Sequence, residues 1–375
     1  PLLSNYSITY NNGGLTIGKA NLTATGSKVY DAGTAFAGTN FSSITGVNNE
    51  TFTATGSGTL TSPNVQSAQT LQSLGTLSLV GVNGALSSNY NWTTANTSVS
   101  VTPRSLSVTG ANNTVTYNGA AQTNTGATIV GTQSGDSLTI SGYGTGTNAS
   151  TTAYADNLSV AAVGGTLLSN YSISYTHGGL TIGKANLTVT GVNNTVTYNG
   201  SAQTNSGATI VGTQSGDGFS ISGYAAGTNA GSYNDSLTLT GTGGTLLSNY
   251  SISYTHGGLN IDKANLTLSG TRVYDAGTTF AGQYLTASGV AGQTFSVTGS
   301  GHATNLASKN VQTSQPLSSV TGLNLGSSSN GGQSSNYNAL STTGSSVSVT
   351  PKALTATATA SDKTYNATLQ ATVSG

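Results

Sequence analysis

Three histidines, nine acidic and nine basic side chains supply the acid–base chemistry of 375 residues, together with 18 tyrosines, and there is no cysteine. Disulfides, thiolate metal sites and cysteine nucleophiles are therefore excluded. His177 and His256 hold the same place in two copies of YTHGG, whereas a third copy of the surrounding segment reads YNNGG and has Asn12 there. Both residue types suit a turn beside Gly-Gly and only histidine can be a base, so the pattern points to a turn role. His302 stands alone. Asp136 with Asp156, and Asp217 with Asp235, recur as pairs of acids. Calcium needs several oxygen ligands at fixed loop spacing, and neither DxDxDG nor GGxGxD occurs. The acids are expected to cap backbone N–H groups in turns, and no metal site is assigned.

Lys28 and Asp31, like Arg272 and Asp275, stand three residues apart. On an extended strand such residues face opposite ways, which favours a turn at Tyr30 or Tyr274 whose aspartate bonds its own backbone. A Lys–Asn isopeptide crosslink would need an acid in an apolar core, a geometry the sequence does not display. No nucleophile, base and orienting group come together, so the expectation is a protein that is not an enzyme and uses no cofactor.

Charged residues make up 5% of the chain, against about 25% in ordinary soluble proteins. The charges cancel, leaving no basic face for nucleic acid or acidic membranes. No apolar run reaches 18 residues, so membrane insertion of this segment is not expected. The first residues, PLLSNYSITY, lack the basic and apolar regions of a signal peptide, and the chain reads as an excerpt of something longer. Tyr171, Tyr175, Tyr250 and Tyr254 alternate with serine and are expected to anchor a core. Sugar stacking stays open for exposed aromatic rings, among them the single Trp92. Asn-x-Ser/Thr triplets begin at Asn5, Asn21, Asn91, Asn170, Asn186, Asn249 and Asn265. Asn21, Asn91, Asn186 and Asn265 are retained as candidate glycosylation sites.

The elements that must position these residues are strands. Segments such as Tyr171-Ser-Ile173-Ser-Tyr175 and Ser98-Val-Ser-Val101 alternate with a period of two, and no helical period is found. The fold expectation is all-β: small antiparallel domains of about 80 residues, sandwich-like or β-grasp-like, in tandem. Residues 105–185 align with 186–264 throughout, and 21–104 align with 265–352. Residues 1–20 read as the closing hairpin of a unit and 353–375 as the opening of another. From unit to unit, the last apolar position and the next leading leucine are five residues apart, as in Val101 and Leu106. An odd offset turns the apolar set to the other face, so the chain must bend, bulge or change sheets there. A basic residue marks every joint, at Lys19, Arg104, Lys184, Lys263 and Lys352, and Pro103 and Pro351 add rigidity at two. Joints this short leave little freedom between neighbours, so a semi-rigid rod is expected.

Units 105–185 and 186–264 resemble MBG domains in Tyr117-Asn118-Gly119 and Tyr198-Asn199-Gly200, in Gly135-Asp136 and Gly216-Asp217, and in Ala230-Gly231-Ser232-Tyr233. The first of them departs at 149–154, where an insertion separates Ala149 from Tyr154. Units 21–104 and 265–352 resemble YDG domains through Lys28-Val29-Tyr30-Asp31-Ala32-Gly33-Thr34 and Arg272-Val273-Tyr274-Asp275-Ala276-Gly277-Thr278. Lys309-Asn310-Val311, Ser335-Asn336-Tyr337 and Val349-Thr350-Pro351-Lys352 match too. The resemblance implies the stalk of a large secreted bacterial adhesin of the filamentous-haemagglutinin-like, two-partner-secretion kind, at the cell surface or in an extracellular matrix. Its implied partners are neighbouring repeats and further copies in a fibre, with weak multivalent binding of host or matrix glycans as the alternative.

Overall fold

Thr97-Ser-Val-Ser-Val-Thr102 buries Val99 and Val101 on one face, as its alternation requires, and it lies beside the strand that opened the same repeat. Strand Thr97–Thr102 runs parallel to Thr23–Val29, in register from Ala24 opposite Thr97 to Val29 opposite Thr102. Phe41–Thr45 and Gln66–Gln69 flank this pair antiparallel. The computed structural model describes residues 1–370 and 373–374, and it divides into two compact units, 1–185 and 186–375. Ala371, Thr372 and Gly375, the end of the expected opening segment 353–375, lie outside the described residues. The described structure is all-β: its helices are three-residue 3-10 turns between small sheets.

The remaining repeats share the parallel arrangement. Arg104–Thr109 pairs in parallel with Tyr171–Thr176, and Asn112–Thr116 with Gly179–Gly183 in a separate sheet. In the second unit Asn193–Thr197 lies parallel to Gly258–Asp262, and Thr267–Val273 to Ser346–Thr350. The latter pair lies within a six-stranded sheet. The sheets are thus mixed, not purely antiparallel as the sequence suggested. Alternation fixes which residues are buried but not the direction of a partner some 70 residues away. A parallel first and last strand brings the chain into a repeat at one end of the sheet and out at the other.

The segment expected to be a closing hairpin is not one. Tyr171–Thr176 and Gly179–Gly183 belong to different sheets, and each takes its own parallel partner from the start of the repeat. The two chains bend together at Gly110 and Gly178, where a Cβ on Gly110 would come within 2.5 Å of the Gly178 nitrogen. Residues 6–17 carry nearly the same sequence as 171–182 yet form no strand, and Tyr10, Leu15 and Ile17 are exposed.

At the Pro103 joint the chain changes sheets: Thr102 ends one strand and Arg104 begins the next with new partners. Apolar packing is continuous across it. Tyr30, Phe36, Val99 and Val101 share one cluster with Leu106 and Tyr171. Likewise Tyr198, Leu259 and Ile261 join Leu266, Phe280 and Tyr337 beyond the Lys263 joint. Small domains bury too little surface to be comfortably stable alone, and a shared cluster offsets that.

Ala32 is exposed and left-handed, at φ +61°, where Tyr117-Asn118-Gly119 places glycine at +81°. The misfit of a Cβ there outweighs the extra chain entropy of glycine. Ala32→Gly is expected to stabilise the protein by up to about 1 kcal/mol in urea melts; a loss of stability would refute the strain.

Candidate functional site

The residues that organise the structure lie at the joints. The loops that open repeats 21–104 and 265–352 are each held by a buried cation. Lys28, almost fully buried, donates to the carbonyls of Gly33 (2.9 Å) and Ala35 (2.8 Å) and pairs with Asp31 at 2.6 Å. Asp31 also accepts the Gly33 N–H at 2.9 Å, the expected turn. Lys28 and Asp31 meet because the strand ends at Val29 and the expected turn carries Asp31 back. Arg272 does the same work, bonding Gly277 O at 2.6 Å, pairing with Asp275 and lying 5.7 Å over the Phe280 ring. In the DKTYNAT segment Lys363 reaches Thr368 O and Gln370 O, the same offsets of five and seven. Burial works against the Asp31 charge, but the Lys28 ammonium and the Gly33 N–H outweigh it and hold the carboxyl below its ordinary value. At Asp275 the Gly277 N–H, then Arg272, do the same. These loops set the angle of Tyr30 and Tyr274.

Tyr30 projects to the next repeat. Its hydroxyl donates to Asp136 Oδ2 at 3.1 Å, and Asp136 also accepts the hydroxyl of Tyr171. Tyr171 in turn accepts the Gln133 N–H at 3.0 Å, and the two tyrosine rings meet edge to face at 5.7 Å. Beside them Asn170 accepts the Val65 N–H (2.9 Å) and donates to Asn64 Oδ1 (3.0 Å), a reciprocal pair across the joint. Burial first, then the bond to Asp136, pushes the Tyr171 phenol up to about 12. Tyr30 is raised for the same two reasons.

The second unit repeats this with different residues. Tyr337 donates to Gln293 Oε1 and Gln293 donates to Tyr198, both at 2.8 Å, with the rings edge to face at 5.5 Å. Asn336 accepts the Ala230 N–H (2.8 Å) and donates to Asn229 Oδ1 (3.0 Å). Four of the five tyrosines that follow Ser-Asn share one local arrangement. Tyr90, Tyr171, Tyr250 and Tyr337 accept the N–H of Val47, Gln133, Gln214 and Val290. Each then donates to the side chain three residues further on, Glu50, Asp136, Asp217 or Gln293. Gly46 is required for this: a Cβ there would stand 2.5 Å from the Tyr90 ring.

The sequence-derived candidates fall elsewhere. Of the joint cations, Arg104 donates Nε to Gly131 O at 2.8 Å. Lys19, Lys184, Lys263, Lys352, Pro103 and Pro351 are exposed. Asp136 and Asp156 do not act as a pair. Asp156 is buried, accepting Asn124 Nδ2 at 2.9 Å and Gly144 N at 2.8 Å, and Asp235 repeats this with Asn205 and Ala225. Among the described residues no three His, Asp or Glu side chains gather as a metal site would require. His177 and His256 use Nδ1 to accept a backbone N–H, from Leu158 and Leu237. Tyr175 and Tyr254 are not core anchors: they are part-exposed and stack on those imidazoles at 5.8 Å. Of the triplet asparagines, Asn170 and Asn249 are buried, while Asn21, Asn91, Asn186 and Asn265 are exposed. Asn170 opens an Asn-x-Ser triplet, which gives no sign of its contact across the joint. The signal was the recurrence of Ser-Asn-Tyr in every repeat.

A family model described as YDG domain matches residues 15–98. Residues 15–98 hold a YDG domain. The match begins six residues before the boundary expected at 21 and ends inside the strand Thr97–Thr102, so the YDG domain takes in the Lys19 joint. No curated protein matches the chain. No described helix is long and apolar enough to cross a membrane.

Tyr171→Phe strands the Gln133 N–H and one Asp136 bond, which should cost about 1–3 kcal/mol. Because the folded phenol titrates near 12 and an unfolded one near 10, its stabilisation is complete below pH 10 and lost as pH rises to 12. Phenolate absorbance and circular dichroism should show that loss in the native protein, and less of it in Tyr171→Phe. Equal alkaline transitions in the two would remove Tyr171 from the joint.

Proposed function

We propose that this chain is a non-enzymatic structural stalk, a run of small β domains within a large bacterial surface adhesin or extracellular fibre that holds an adhesive region away from the cell. One observation carries the reading: two joints of different sequence are built on the same tyrosine, acceptor, tyrosine and asparagine contacts. A chain that rebuilds a joint with new residues gains its use from the joint. The parallel first and last strands support it, since entry and exit at opposite ends of a repeat let successive repeats line up without doubling back. The YDG domain at 15–98 and the scarcity of charge agree with a repetitive extracellular role. The surface location, the two-partner secretion and the MBG-like character of 105–264 belong to the same proposal.

A second reading has an observation of its own. Tyr175 on His177 and Tyr254 on His256 present two part-exposed aromatic stacks in repeated positions. Paired flat faces of this kind suit weak stacking on sugar rings, multiplied by repetition.

Small-angle scattering separates a stalk from a globule. Four repeats of about 30 Å give a largest dimension of roughly 120–150 Å, whereas a compact globule of this length has a radius of gyration of about 21 Å. The globular value would end the stalk reading. On a glycan array the stalk predicts no binding; signal lost in the Tyr175→Ala, Tyr254→Ala double variant would establish the second reading.

A further inference from the structure

Each repeat places the strand that receives the chain beside the strand that releases it. Thr23–Val29 and Thr97–Thr102 pair in parallel without a slip, and the Tyr30 N–H extends their ladder to Thr102 O at 3.0 Å. Thr267–Val273 and Ser346–Thr350 do the same, with the Tyr274 N–H on Thr350 O at 2.9 Å. In 105–185 the pairing runs on through the bend. Arg104–Thr109 lies beside Tyr171–Thr176, then Asn112–Thr116 beside Gly179–Gly183. The Gly110 N–H reaches Thr176 O at 2.8 Å, Gly179 N–H reaches Ala111 O at 3.1 Å, and Tyr117 N–H reaches Gly183 O at 2.8 Å. Asn193–Thr197 beside Gly258–Asp262 keeps the second of these pairings in 186–264. The inward faces are dry: Val99, Val101, Leu106, Val108, Val347 and Val349 are at most 1% exposed.

We propose that these parallel pairs are load-bearing clamps, which make each repeat resist tension drawn along the chain. Parallel strands put entry and exit at opposite ends of the pair, so a pull on both slides one strand past the other. The evenly spaced rungs are then strained together. Antiparallel strands would put entry and exit at one end, where the same pull opens the rungs one after another. Two arrangements keep the rungs from giving way to water. In 21–104 the pair is interior to its sheet, between Phe41–Thr45 and Gln66–Gln69, and in 265–352 Leu285–Ser288 and Gln312–Gln315 flank it likewise. In 105–185 Tyr171–Thr176 and Asn112–Thr116 lie at the edges of their sheets, and the clamp gains length from its second sheet instead. Load passes without slack: Thr102 ends one clamp and Arg104 begins the next, with Pro103 between. Forced unfolding is governed by the unfolding rate and not by equilibrium stability, so small domains of modest stability can carry load. The clamp belongs to the single repeat. Weak repeats would leave an unloaded stalk standing, and a globular scattering profile would leave the clamp untouched.

The chain has no cysteine, so paired substitutions take pulling handles at chosen points of the full chain. Ser105, Ser169 and Lys184 are exposed and suit such handles. In the Ser105→Cys, Lys184→Cys double variant, force enters at the start of the opening strand and leaves at the end of the closing one, which loads the clamp in shear. In the Ser105→Cys, Ser169→Cys double variant both handles sit at the same end of the pair, and the strands peel apart. Released lengths of roughly 280 Å in the first and roughly 220 Å in the second identify the repeat that opens. At one loading rate, single-molecule pulling should give a several-fold higher unfolding force in shear than in peeling, because the rungs fail together. Circular dichroism melts of both variants check that the handles leave the fold intact. Equal forces in the two geometries, or a weaker repeat in shear, would overturn the proposal.

Discussion

The Asp136 carboxylate accepts one hydroxyl from Tyr171 in its own repeat and another from Tyr30 in the repeat before. Much else in the unit 1–185 serves to bring those two rings to one acceptor. Lys28 is buried to hold the loop that aims Tyr30, and the 3-10 turn at Leu168–Asn170 delivers Tyr171. Pro103 ends one strand and begins the next sheet between them. A polar contact at such a place is demanding: each group left without a partner costs about 1–3 kcal/mol, so partial docking is worse than none. That asymmetry makes the contact a register device as well as an adhesive.

The second unit shows how far the residues can change while the contact survives. Gln293 replaces the carboxylate, accepts from Tyr337 and donates to Tyr198, so the second tyrosine switches from donor to acceptor. The asparagine pairs keep the same polarity in both. A neutral amide in place of a carboxylate removes one of the chain's few charges without leaving a group unpaired. The cations that do remain buried, Lys28 and Arg272, are both paired with an aspartate on the turn they close.

Several of these features are legible in the sequence, and the division follows sequence distance. The alternation of Thr97–Thr102 and the Asp31 turn depend on neighbours within a few residues, and both are present. The odd offset from Val101 to Leu106 demands a bend, a bulge or a change of sheet, and the last is what occurs. Parallel pairing of Thr23–Val29 with Thr97–Thr102 was hidden, because a period of two is identical for either strand direction. The joint was hidden for a similar reason: Tyr30 and Asp136 lie 106 residues apart, and Asp136 invited pairing with Asp156 instead. The conspicuous lysines of the joints proved to be surface residues, while Ser-Asn-Tyr, repeated in plain view, held the contact.

These hydrogen bonds fix one repeat against the next. Spin labels on cysteines placed at the exposed positions Val80 and Val163 flank the Pro103 joint within one compact unit. Dipolar electron resonance between them should give a single narrow distance distribution that broadens when Asn170→Ala and Tyr30→Phe are introduced together. A broad distribution in the unaltered joint, or a narrow one that survives both substitutions, would contradict the account.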